Sequence, residues 1–126
     1  MQTVLPTEIK TVNQAQVKVN APQIAIDSAK AHKSFVVILC SVGNPDYGQT
    51  LPQSLPELVP FGQLSEVSAI CRDYISKYNL GGGNWGARAG EIYHPVNGLI
   101  AHVSYNGRIW AQDGKEITGA ALTEGI

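Results

Sequence analysis

Charge of either sign is scarce and balanced. Nine basic and ten acidic residues give a formal net charge of −1, so the chain lacks the broad cationic face that nonspecific nucleic-acid binding needs. Duplex DNA and RNA are therefore not expected partners. No apolar run approaches the roughly 18 residues of a membrane span. The opening "MQTVLPTEIKTVNQAQVKVN" has neither a basic stretch followed by an apolar core nor a small-residue cleavage site. A soluble, cytoplasmic protein without membrane contact is the expectation.

Cysteine is nearly absent as well. Cys40 lies inside "FVVILCSV" and Cys71 on the apolar stripe of a helix, so both read as small buried hydrophobes and not as a disulfide. The catalytic spacings G-x-S-x-G, H-E-x-x-H and C-x-x-C are missing. His32, His94 and His102 lack metal-site spacing and a neighbouring cysteine or carboxylate cluster. A binder without metal or cofactor is expected, rather than an enzyme.

What is present points to one α+β domain over residues 1–126, with 44% hydrophobic residues. "EIKTVNQAQVKV" alternates loosely enough to contain a strand, and "PQIAIDSAKAHK", with proline near its start, suits a short helix. "SFVVILCSV" is a β-branched run covered on both faces, hence the central strand of a small antiparallel sheet. "GNPDYGQTLPQSLPELVPFG" carries Pro45, Pro52, Pro56 and Pro60, which exclude a long helix or an interior strand. It reads as a long loop over 43–62, either a partner-binding arm or a surface excursion without a role.

The clearest element is "QLSEVSAICRDYISKYNL". Leu64, Val67, Ile70, Cys71, Tyr74, Ile75 and Tyr78 recur at helical spacing, with Ser65 as the expected N-cap and Glu66 at the positive end of the dipole. Arg72, Asp73 and Ser76 face away, and Asn79 before three glycines ends the helix. Those glycines open "GGGNWGARAG", where Gly81, Gly83 and Gly86 formally satisfy G-x-G-x-x-G. A dinucleotide fingerprint needs its glycines after a strand and before a helix. Here a helix leads in and a strand leads out, so that reading fails, and no Walker spacing exists.

"NG" at Asn106 and Gly107, between "LIAHVSY" and "RIWAQ", signals a hairpin with a two-residue turn. This register pairs Tyr105 with Arg108, Val103 with Trp110 and Ala101 with Gln112, which places Tyr105, Arg108 and Trp110 on one face. A Pro95–Gly98 turn adds Ile92 and His94 to that face and sends Glu91, Tyr93 and His102 to the other, with Glu91 and His102 as a surface pair. A guanidinium beside aromatic rings can hold phosphate while the rings stack on a base. The candidate ligand-binding residues are Arg108, Trp85, Asn84, Arg88, Tyr105, Asn106, Trp110, Gly82 and Gly83. For either tryptophan alone, packing is the commoner role.

"LGGGNWGARAG" followed by "VSYNGRIW" resembles the phage-encoded sponge proteins of the first type that counter Thoeris immunity, over roughly Glu66 to Trp110. The resemblance implies a non-enzymatic homo-oligomer that sequesters a small anionic nucleotide signal in the host cytoplasm. The implied ligands are cyclic ADP-ribose isomers, with cyclic oligonucleotides as second ligands, and Arg108 in "YNGR" is the residue it carries over for phosphate. The other reading is a protein-interaction or inhibitor module that docks through the glycine loop and the proline-rich arm.

Overall fold

The computed structural model describes residues 20–44, 47–49, 54–86 and 88–126. The strand expected within 8–19 lies outside them. Helix α1, Ala21–His32, starts with proline in its first turn and ends at Lys33, a left-handed residue at φ 52°. Its buried stripe is Ala21, Ala25 and Ala29. Small side chains at i, i+4 and i+8 let the helix lie close to the sheet beneath it.

The sheet has five strands in the order β2-β1-β3-β4-β5. These are β1 (Phe35–Leu39), β2 (Glu57–Phe61), β3 (Glu91–His94), β4 (Gly98–Val103) and β5 (Ile109–Ala111). Every residue of β1 is buried, and β1 pairs antiparallel with β2 on one side and β3 on the other. The double-sided burial read from "FVVIL" is thus present, but β3 and not β1 occupies the middle of the sheet. Strand β2, which lies in the stretch read as continuous loop to residue 62, forms the edge of the sheet beyond β1. Pro60 pairs opposite Val36. An edge strand leaves alternate N–H positions unpaired, so a residue without a donor is tolerated there.

Helix α2, Val67–Lys77, is preceded by a 3₁₀ turn over Leu64–Glu66. The cap is not Ser65. Glu66 Oε1 reaches back to accept from the backbone N–H groups of Gln63 at 2.7 Å and Gly62 at 3.2 Å, which moves the start of the helical segment to Gln63. Leu64, Val67, Cys71, Tyr74 and Ile75 are buried as the periodicity requires, while Tyr78 is exposed and packs its ring on Tyr74 at 4.8 Å. Asn79, at φ 53°, ends the helix. Among the described residues no helix is long and apolar enough to cross a membrane.

The two helices cover opposite faces. Val37, Leu39, Ile92, Ala101, Val103 and Ile109 pack with Val67, Cys71 and Tyr74 of α2, and Val36, Ile38 and Tyr93 pack with the alanines of α1. Cys40 belongs to the α1 cluster and Cys71 to the α2 cluster, and both are buried. Helix α1 packs chiefly on β1, β3 and β2, so among the described residues no helix covers the β4–β5 half of that face.

Both hairpins depart from the register read from the sequence. In β3–β4, Glu91 pairs with His102 and Ile92 with Ala101 as expected, but a bulge follows, and Tyr93 pairs with Leu99 and His94 with Gly98. In β4–β5, Val103 pairs with Ile109, His102 with Trp110 and Ala101 with Ala111. The turn is one residue longer than the Asn-Gly form. Ser104 N donates to Arg108 O, Gly107 N donates to Ser104 O, and of the turn residues Gly107 alone has positive φ, 86°. Asn106 Oδ1 accepts from Ser104 Oγ and from Arg108 N. From α2, Ser68 Oγ donates to Gly107 O at 2.6 Å and Arg72 Nη1 donates to Tyr105 O at 2.9 Å. A one-residue change of register exchanges the faces. Trp110 therefore sits with His102, and the expected Tyr105, Arg108 and Trp110 patch does not form.

Candidate functional site

The open part of the α1 face holds a cleft of about 350 Å³, lined among others by Trp85, Glu91, His102, Ser104, Tyr105 and Gln112. The strand register sets Glu91 directly across from His102. Glu91 Oε1 accepts from the Tyr93 hydroxyl at 3.0 Å and lies 3.5 Å from Arg88 Nη1. Burial, and then the Glu91 charge, push the Tyr93 phenol well above its ordinary pKa, so it stays a protonated donor to that carboxylate.

Two rings flank the cleft, and each is fixed from behind. Trp85 Nε1 donates to Val103 O at 2.9 Å, and its ring lies 6.3 Å from that of Tyr74. The Tyr105 hydroxyl donates to Leu80 O at 2.9 Å, with the Arg72 guanidinium 5.6 Å from its ring centroid. Both aromatic residues are half-buried. They act as packing elements on one side and as cleft wall on the other.

The remaining candidates divide. Arg88 does not line this cleft but pairs with Glu91, which does, and Trp110 is the cross-strand neighbour of His102, its Nε1 donating to Ser104 Oγ at 3.1 Å. Asn84 belongs to a second cleft of about 420 Å³ with Ser41, Gln49, Ser54 and Tyr78. Its amide is fully engaged by the chain itself, donating to Val42 O at 2.9 Å and Gln49 Oε1 at 2.8 Å and accepting from Gly81 N at 3.0 Å. Asn84 is a latch between two loops and not a reader of a ligand edge. Asn106 is likewise committed to its own turn, and Arg108 is exposed there, outside both clefts.

The glycine run also has a packing explanation. A Cβ on Gly83 would stand 2.2 Å from the Asn44 amide nitrogen, and one on Gly86 2.7 Å from Val42 Cγ1. At Gly82 the nearest atom is Tyr105 Cδ2 at 3.7 Å, and at Gly81 it is Asn84 Oδ1 at 3.6 Å, both ordinary contacts. The three consecutive glycines should therefore respond differently to alanine. Gly81→Ala and Gly82→Ala are expected within about 0.5 kcal/mol of the parent, since reduced unfolded-chain freedom offsets small losses, whereas Gly83→Ala should cost about 2 kcal/mol by displacing buried Asn44. Urea melts of the three variants test this ordering. Equal midpoints would remove the packing role of Gly83.

Sequence reasoning missed Ser104, Gln112 and the importance of Glu91 and His102 for the cleft. The cross-strand Glu91–His102 pairing was legible, but its position on the half-face left open by α1 depends on where that helix lands. Among the described residues no cluster of metal-ligating side chains occurs. No protein-family model, curated protein or solved structure matches the chain.

Proposed function

We propose that this protein binds a small nucleotide signal in the Trp85–Tyr105 cleft and holds it without turnover. The signal belongs to the class of cyclic ADP-ribose isomers or cyclic oligonucleotides. The observation that carries the reading is the cleft itself. Two fixed aromatic rings line it together with the polar side chains of Glu91, His102 and Gln112, and Arg88 pairs with Glu91. Rings of this kind stack on bases at about 1–3 kcal/mol each. A cleft of about 350 Å³ lies at the small end of ligand pockets. It accommodates one nucleotide unit, and the rest of a cyclic ligand would extend over the open β4–β5 face or onto a second copy, which is why homo-oligomer formation is part of the proposal.

Capture without chemistry agrees with the state of the nearby nucleophiles. Ser104 Oγ accepts from Trp110 Nε1 and donates to Asn106 rather than to His102. Cys71 lies in the α2 core on the opposite face of the sheet, and burial pushes its thiol up to about 12, far from a reactive thiolate.

The test is calorimetric titration with cyclic ADP-ribose isomers and cyclic dinucleotides, followed by chromatography of the recovered ligand and light scattering of the complex. Arg88→Ala should weaken binding roughly 10-fold or more through loss of a charge-assisted contact, and Arg108→Ala by less than about 3-fold. The reverse order would move the site to the β4–β5 turn. Conversion of the ligand in proportion to protein and time would make the protein an enzyme, and absence of binding to any nucleotide would favour the interaction module.

A further inference from the structure

The polar side of the cleft holds acceptor capacity that the described residues do not use. Glu91 has a side chain only 16% exposed, and both contacts recorded for it, from Tyr93 and Arg88, go to Oε1. Oε2 accepts from no described residue. An ionised carboxylate accepts at about four positions and donates at none. A half-buried acceptor of this kind favours a ligand that brings N–H groups to it and penalises one that brings a lone pair.

We infer that the cleft selects a planar ring edge with two adjacent N–H donors, as in guanine, with Glu91 as its acceptor and Trp85 and Tyr105 as its flanking rings. The inference rests on the nucleotide-binding reading above and narrows it to guanine-bearing cyclic nucleotides. Guanine offers N1–H and the 2-amino group side by side on its Watson–Crick edge. Adenine on the same edge offers one amino donor beside a ring-nitrogen acceptor, which would face the carboxylate with like polarity. Hypoxanthine keeps N1–H and lacks the amino group, so it isolates the second donor.

Arg88 completes the exchange. Its contact with Glu91 is long, 3.5 Å, and its side chain is 38% exposed. When a donor edge occupies the carboxylate, the guanidinium can turn to the phosphate of the same ligand. The Tyr93 hydroxyl, donating to Oε1 at 3.0 Å, keeps Glu91 aimed during that exchange.

Titration of the full chain with the 3′,3′-cyclic dinucleotides of guanine, hypoxanthine and adenine tests the assignment without any variant. Guanine should bind tightest, hypoxanthine roughly 10-fold weaker and adenine weaker still. Glu91→Gln, checked first by its melting curve, should compress the three to within about 3-fold, because the amide presents a donor as well as an acceptor. Adenine binding as tightly as guanine, or a ranking unchanged in Glu91→Gln, would overturn the inference. If none of the three binds while a cyclic ADP-ribose isomer does, the edge assignment falls and the sequestration reading stands. If no nucleotide binds, both fall.

Discussion

Gly90→Ala is expected to destabilise the protein by about 3–5 kcal/mol, lowering the melting temperature by more than roughly 10 °C. Gly90 has φ 83°, where an added Cβ costs about 1–2 kcal/mol by itself. That Cβ would also stand 2.3 Å from Val103 O and 3.0 Å from Val103 N, and backbone atoms cannot rotate away as a side chain can. Relief requires parting the two bonds that Gly90 makes. Its N–H donates to Ile38 O at 2.8 Å, and its carbonyl accepts from Val103 N at 2.9 Å. Each is worth about 1 kcal/mol. These bonds join β1, the start of β3 and the end of β4, so local loosening would spread through the sheet. Gly114→Ala is the control. Gly114 has φ 85° but nothing within 4 Å of the new Cβ, so only the conformational cost of about 1 kcal/mol should appear. Chemical denaturation of both variants separates strain from collision. A Gly90→Ala midpoint equal to that of Gly114→Ala would show that the close approach to Val103 is not there.

Gly90 illustrates where sequence reading stops. Its role depends on Val103, thirteen places along the chain in another strand, and no local pattern encodes that approach. The elements that were legible carry their signal in nearest neighbours: the stripe from Leu64 to Ile75, the left-handed Asn79, the β-branched run of β1. The β4–β5 register was misread for the opposite reason. The Asn-Gly signal is local and points to a two-residue turn, but Ser104 and Asn106 close a longer one, and Ser68 and Arg72 hold its carbonyls from a helix far back in sequence. Strand β2 was hidden because Pro60 argues against any strand until it is known to lie at the edge. Of the candidate site, Trp85, Tyr105 and Arg88 were identifiable as residue types able to meet a nucleotide. Asn84 is a residue of the same capability, yet its amide is engaged by Val42, Gln49 and Gly81. Chemical type alone does not tell a latch from a ligand contact.

Trp85 is the residue where fold and proposed function meet, and two substitutions separate them. Its side chain packs against both hydrophobic clusters, joins Val103 O through Nε1 and lines the cleft. Trp85→Ala should cost about 3–4 kcal/mol, as for other large aromatic truncations, and leave the wall between cleft and core open. Loss of nucleotide binding in that variant would mix a damaged scaffold with a missing stacking surface. Trp85→Phe keeps an aromatic face while removing the indole N–H and part of the ring. Its stability should fall by only about 1–1.5 kcal/mol, since Val103 O loses one donor at a half-buried position. If stacking at Trp85 contributes to binding, Trp85→Phe should weaken a cyclic nucleotide a few-fold and Trp85→Ala by roughly 10-fold or more, measured well below both melting transitions. The fluorescence of Trp85 can be followed alone after Trp110→Phe, because the chain has two tryptophans. Saturating ligand should then change the Trp85 emission with the same midpoint that calorimetry gives. Binding that leaves this emission unchanged, with unaltered affinity in Trp85→Phe, would place the ligand elsewhere and reduce Trp85 to a packing residue.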